Sequence, residues 1–178
     1  MIIKILIGLA VLIALLVIII STRPADFSVT RSAVIPAPPA TVFAQVNDLH
    51  KWEGWSPWAK LDPNSKSTFK GPAAGTGSSM AWAGNNEVGE GKMTITESQP
   101  NERVGLQLEF IKPFQATNAV EFTFKPEDGG TLVTWSMNGK NNFMSKAVGL
   151  VMDCEKMCGD QFEQGFANMK KVVSGSQN

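Results

Sequence analysis

Between Met80 and Val173 the apolar residues change their spacing once, from every second residue to every third or fourth, and this change limits the chain to few architectures. Met80 and Trp82 share one face of a strand, Gly84-Asn-Asn86 makes a turn, and Met93 and Ile95 share one face of the next. Val104, Leu106, Leu108 and Phe110 alternate with Gly105, Gln107 and Glu109, and Val120, Phe122 and Phe124 alternate with Glu121 and Thr123. Pro113 separates these two strands, Glu127-Asp-Gly-Gly130 turns the chain again, and Val133, Trp135 and Met137 form the inner face of a last strand. Sequential hairpins of this kind predict an antiparallel sheet with one buried face. Phe143, Ala147, Leu150, Val151, Cys154, Cys158, Phe162, Phe166, Met169 and Val173 then predict one long amphipathic helix, capped by Asn141 or Asn142 and ending in a flexible tail at 175–178.

The earlier part of the chain supplies less. Phe27 to Ile35 reads as a first strand, broken by Pro36, Pro38 and Pro39, and Val42, Phe43 and Val46 give a short helix its apolar face. The segment Leu49 to Trp58 then concentrates three of the five tryptophans and the only histidine of a chain that has no tyrosine. A polar stretch around Asp62 to Lys66 reads as a loop.

Ile5 to Thr22 is an uncharged apolar run bounded by Lys4 and Arg23. As a helix its 18 residues would extend ~27 Å at about 1.5 Å per residue, close to the hydrocarbon thickness of a bilayer. A cleaved signal sequence competes with an uncleaved anchor. The run is longer than a usual signal core and lacks a small-residue cleavage site, which favours a single-pass anchor in the cell membrane over residues 1–23. The flanking positive charges barely discriminate orientation, and the reading adopted places the soluble domain, residues 24–174, outside the cytoplasm. The 16 basic and 16 acidic residues balance, which provides no basic surface for nucleic acid. Two cysteines are too few for a disulfide scaffold. No pattern in the chain sets an oligomeric state.

The order of elements resembles the START-like or Bet v 1-like superfamily, in particular its polyketide cyclase/dehydrase and lipid-transport branch. The stretches that carry the resemblance are Val34-Ile-Pro-Ala-Pro-Pro-Ala-Thr-Val-Phe43, Trp52-Glu-Gly-Trp-Ser-Pro-Trp58, Val88-Gly-Glu-Gly91 and Gly159-Asp-Gln-Phe-Glu-Gln-Gly-Phe-Ala-Asn168. The likeness spans roughly residues 27–173. It implies an α+β helix-grip fold, a curled antiparallel sheet wrapped around the long C-terminal helix with an apolar cavity between them, here preceded by a transmembrane helix. In such a fold Trp52, Trp55 and Trp58 would plug one end of the curled sheet.

The inner faces then supply the expected ligand-binding residues: Trp52, Trp55, Met80, Trp82, Met93, Leu108, Phe110, Asn118, Phe122, Trp135, Leu150 and Cys154. His50 and Glu97 are the candidates for acid/base catalysis. His50 has no orienting partner nearby in sequence and reads as a surface histidine, whereas Glu97 shares the parity of Met93 and Ile95 and is expected inside, as is Asn118. Cys154 and Cys158 stand one helical turn apart and read as buried free thiols, and with one histidine in the chain no metal set or cofactor is implied. The expected function is a membrane-anchored module that binds a small apolar molecule, such as a lipid or isoprenoid. A cyclase- or dehydratase-type enzyme using the same cavity is the alternative, as is a structural or regulatory domain whose cavity is filled by its own side chains.

Overall fold

A computed structural model describes residues 2–175. Helix α1 (Ile2–Thr22) has its side chains exposed apart from Ile20, and among the described residues it is the one helix long and apolar enough to cross a membrane. Strand β1 (Asp26–Ile35) leads through three prolines into α2 (Pro39–Asn47), where Pro39 occupies the first turn at no cost in hydrogen bonds. A 3-10 turn (Leu49–Lys51), the single turn α3 (Trp52–Trp55) and a second 3-10 turn (Pro57–Lys60) follow. The remaining strands are β2 (Lys66–Lys70), β3 (Ser79–Ala83), β4 (Glu90–Gln99), β5 (Arg103–Lys112), β6 (Ala116–Glu127) and β7 (Gly130–Lys140). Helices α4 (Phe143–Val148) and α5 (Cys154–Gly175) close the described chain. The tail expected at 175–178 lies, from residue 176 on, outside the described residues.

All seven strands form one curled antiparallel sheet in the order β1-β7-β6-β5-β4-β3-β2. The chain therefore leaves β1 at one edge, crosses to the opposite edge through α2, α3 and the two turns, and returns hairpin by hairpin until β7 pairs with β1. Strand β2 was not expected from the sequence. All five of its residues, Lys66-Ser-Thr-Phe-Lys70, are exposed at a sheet edge, so burial imposes no alternation on them.

The expected single C-terminal helix is two helices. Asn142 caps α4 by accepting from the Ser145 amide at 2.8 Å, and α4 stops at Gly149. The Asp153 carboxylate then accepts from the Lys156 amide at 2.9 Å to start a new helix. The interruption leaves Val151 84% exposed and Phe143 half exposed, so neither packs on the sheet as the uninterrupted pattern predicted.

Helix α5 grips the sheet through Phe162, Phe166, Met169 and Val173, one stripe at steps of four, three and four residues. These side chains share one core with Val29, Ile35, Val104, Leu106, Phe122, Phe124, Val133 and Trp135 from the strands and Trp52 and Trp55 from the plug. Each fully buried large side chain contributes about 1.5–3 kcal/mol relative to exposure. Gly165 admits the helix closely, since a Cβ there would lie 2.9 Å from Trp135 Cζ3. At the helix start, Arg31 of β1 lies over Gly159 and pairs with Glu155 at 2.9 Å and Glu163 at 3.3 Å.

Candidate functional site: an apolar cavity under a tryptophan plug

The tryptophan segment owes its place to the end of α2. A helix leaves its last carbonyls without intrahelical partners. Two of them are taken by indoles: Trp52 Nε1 donates to the Val46 carbonyl at 2.9 Å and Trp55 Nε1 to the Gln45 carbonyl at 3.0 Å. Asn168 of α5 donates to the Trp55 carbonyl at 3.2 Å, tying the plug to the C-terminal helix as well. The rings then continue into an aromatic cluster. Trp52 and Trp55 lie 4.6 Å apart, Trp55 and Trp58 each meet Trp135 edge to face at 5.7 and 6.0 Å, and Phe122 lies 4.7 Å from Trp135.

Between this cluster and the sheet is a cavity of about 280 Å³. Met80 and Trp82 of β3, Met93 of β4, Leu106, Leu108 and Phe110 of β5, Val120 of β6, and Trp135 and Met137 of β7 form its walls, with Cys158 and Phe162 of α5 opposite. Leu49, Trp52 and Trp58 close it from the plug side. The two carboxylates that reach it, Glu53 and Glu87, are exposed residues at its rim. Trp82 is held flat as a wall panel: its Nε1 donates to the Val88 carbonyl at 3.2 Å, and its six-membered ring occupies the space that a Cβ at Gly91 would need. Burial pushes the Cys158 thiol above its ordinary pKa, with Cys154 and Glu155 adding in the same direction. Cys158 is therefore a neutral, weakly nucleophilic wall residue at physiological pH.

Seven of the residues expected from the sequence line this space: Trp52, Met80, Trp82, Met93, Leu108, Phe110 and Trp135. Trp55 and Phe122 lie behind it in the core. Asn118 shares the face of Val120 but sits beyond the cavity, its amide 3.6 Å from Met137 Sδ. Leu150 falls in the interruption between α4 and α5, and Cys154 at the very start of α5 stays outside the walls, one turn short of Cys158. Leu106, Val120 and Met137 were legible by parity with their neighbours, whereas Phe69, on the unpatterned β2, carried no signal.

Glu97 does not face inward. The register slips between Ile95 and Glu97, so that Ile95 pairs with Leu106 and Glu97 with Gly105. This bulge reverses the parity on which the expectation rested. Glu97 accepts instead from Gln99 Nε2 at 2.7 Å and lies 3.5 Å from Arg103, which also pairs with the outward Glu121. His50 is an exposed residue outside the cavity walls, its ring stacked on Phe69 at 4.0 Å; contrary to the expectation that no orienting partner stands nearby in sequence, its Nδ1 lies 3.1 Å from Oδ1 of Asp48, two residues earlier. Among the described residues no group of three or more histidine, cysteine or acidic side chains is placed to hold a metal ion.

A curled antiparallel sheet closed by a C-terminal helix over an apolar cavity defines a helix-grip domain of the Bet v 1-like type. Comparison with known proteins agrees. The family profile described as polyketide cyclase / dehydrase and lipid transport matches residues 26–174, and the chain belongs to that family. Among solved structures, protein SA2116 of unknown function from Staphylococcus aureus superposes with a TM-score of 0.62 at 15% identity, over 85% of this chain and 96% of that one. Protein CV1439 from Chromobacterium violaceum gives 0.60 at 15% identity, over 82% and 96% of the two chains. Ara h 8.0201 gives 0.58 at 15% identity, over 84% and 99%. At these identities the likeness is one of fold. No curated protein matches the chain.

Proposed function

We propose that this protein is a membrane-anchored binding module that holds one apolar molecule, such as an acyl chain or an isoprenoid, in the cavity between sheet and α5, without chemical turnover. The observation that carries this reading is the cavity's lining: its deep walls are Trp, Phe, Leu, Met and Val, and its carboxylates stand at the rim. An apolar pocket rewards shape and buried area, whereas acid/base catalysis needs convergent polar groups within hydrogen-bond reach of the substrate. Neither His50 nor Glu97, the candidates for that role, is among the lining residues. The volume of about 280 Å³ is near the lower end of ligand-site sizes and suits one chain or a small ring system. The family's printed description includes lipid transport, which is compatible with this ligand class. Helix α1, by length and composition, supplies the anchor.

Native mass spectrometry of the detergent-solubilised full-length protein, followed by solvent extraction, tests the proposal. The expected result is a co-purifying apolar molecule at one per chain, displaced by added fatty acid or isoprenoid alcohol. A cavity that retains nothing and takes up no apolar fluorescent probe would overturn it in favour of a structural role. Conversion of a bound molecule into a product would establish the enzyme.

A further inference from the structure

The exposed apolar side chains outside α1 are concentrated at one end of the domain. Strand register places the start of β1, the end of β7 and the hairpin between β5 and β6 together there, because Asp26 pairs with Lys140 and Asn118 with Gly139. That hairpin exposes Ile111 and Phe114, and the α4 region that follows β7 exposes Phe143, Met144, Val151 and Met152, each by 45% or more. A soluble surface rarely gathers such a set without a partner.

The same end is where α1 enters. Only Arg23, Pro24 and Ala25 separate Thr22 from Asp26, a reach of roughly 14 Å across four steps of about 3.5 Å. That short tether is itself held down, since the Asn141 amide donates to the Ala25 carbonyl at 2.7 Å, and Lys146 Nζ of α4 donates to the Ser21 carbonyl at 3.4 Å. The exit of α1 and the start of α4 are thereby fixed side by side.

We propose that the end of the domain carrying Ile111, Phe114, Phe143, Met144, Val151 and Met152 is seated in the interfacial layer of the bilayer that α1 spans. This rests on reading α1 as a membrane anchor. Given that anchor, the bonds at Ala25 and Ser21 hold this end against the exit of α1, at the level of the headgroups. Charges of both signs flank the apolar residues, including Lys112 paired with Glu90 at 2.7 Å, so contact is driven by apolar burial and is insensitive to salt. The seating also places the ligand site next to its source. Phe110 and Cys158 line the cavity, and their chain neighbours Ile111 and Met157 are exposed, so the cavity lies close in the chain to the seated end.

Single spin labels on the full-length chain in phosphatidylcholine nanodiscs test the seating, with Cys154 and Cys158 replaced by serine. Labels at Val151→Cys and Phe114→Cys are compared with Asp128→Cys, on the β6–β7 turn at the opposite end, and with Leu12→Cys within α1. Oxygen should out-compete a water-soluble nickel complex several-fold more at 151 and 114 than at 128, with no change between low and high salt. Labels at 151 and 114 as water-accessible as that at 128, while Leu12 is in the bilayer, would overturn the seating and leave the anchor standing. Dipolar broadening between labels at 151 would assign the face to a second copy of the chain, also against the proposal. A water-accessible label at Leu12 would overturn the anchor and the seating together.

Discussion

The indole of Trp135 and the ring of Phe162 lie stacked, centroids 3.9 Å apart and 6° from parallel, and this contact joins α5 to the middle of the sheet where the cavity wall meets the core. The indole N–H of Trp135 meets no hydrogen-bond partner among the described residues, whereas that of Trp55 donates to the Gln45 carbonyl.

These two tryptophans are therefore expected to respond differently to the same change. Trp135→Phe and Trp55→Phe remove equal volume, but only the second strips a hydrogen bond from the partly buried Gln45 carbonyl, a further cost of about 0.5–1.5 kcal/mol. Trp55→Ala should cost about 3–5 kcal/mol. Urea denaturation of the solubilised protein measures all three, and equal losses for the two phenylalanine variants would contradict the assignment.

Gly91→Ala should destabilise by about 1–3 kcal/mol, the range for forcing atoms into a packed site, because the new Cβ meets both the Trp82 ring and the Glu109 carbonyl. Trp82 is a cavity wall, so apolar probe binding should weaken in the same variant. Probe fluorescence and denaturation are measured in parallel; unchanged values would show that the ring moves freely.

Cys158 should alkylate slowly. Its pKa is raised, so the reactive thiolate is scarce at neutral pH, and the rate should keep rising with pH above the range in which an ordinary thiol has levelled off. Iodoacetamide labelling followed by peptide mapping checks this, and added fatty acid should slow labelling at Cys158 further because the residue lines the cavity.

Filling the cavity should separate binding from catalysis. Leu108→Trp places a large ring among the walls and should abolish probe binding, whereas His50→Ala and Glu97→Ala, which alter residues outside the walls, should leave the affinity within a few-fold. Titration of the three variants with an environment-sensitive probe decides. A large loss in His50→Ala would assign that ring to the site.

Full-length protein should remain in the membrane pellet after alkaline carbonate extraction, since α1 contains an uncharged run from Ile5 to Thr22. Release into the supernatant, or an amino terminus near Pro24, would show that the segment is removed.

Local periodicity determined much of this protein. Alternation from Met80 to Met137 is written residue by residue wherever a strand has one buried face, and five of the seven strands could be read from it, with β1 legible from its β-branched run before the prolines. The stripe of Phe162, Phe166, Met169 and Val173 likewise reports its own burial, because any helix that buries one face must repeat in that way. Parity counting assumes an unbroken pleat, so the bulge that turns Glu97 outward was invisible: whether one extra residue is absorbed depends on the partner strand. Edge strand β2 had no buried face to write a pattern, and the apolar period ran on through Leu150 and Val151 although Gly149 and Asp153 end one helix and start another. The plug shows the division most clearly. Its tryptophans were legible as aromatic mass, but only the tertiary structure brings their indole N–H groups to the last carbonyls of α2 and their rings to Trp135, a residue some eighty positions away in the chain.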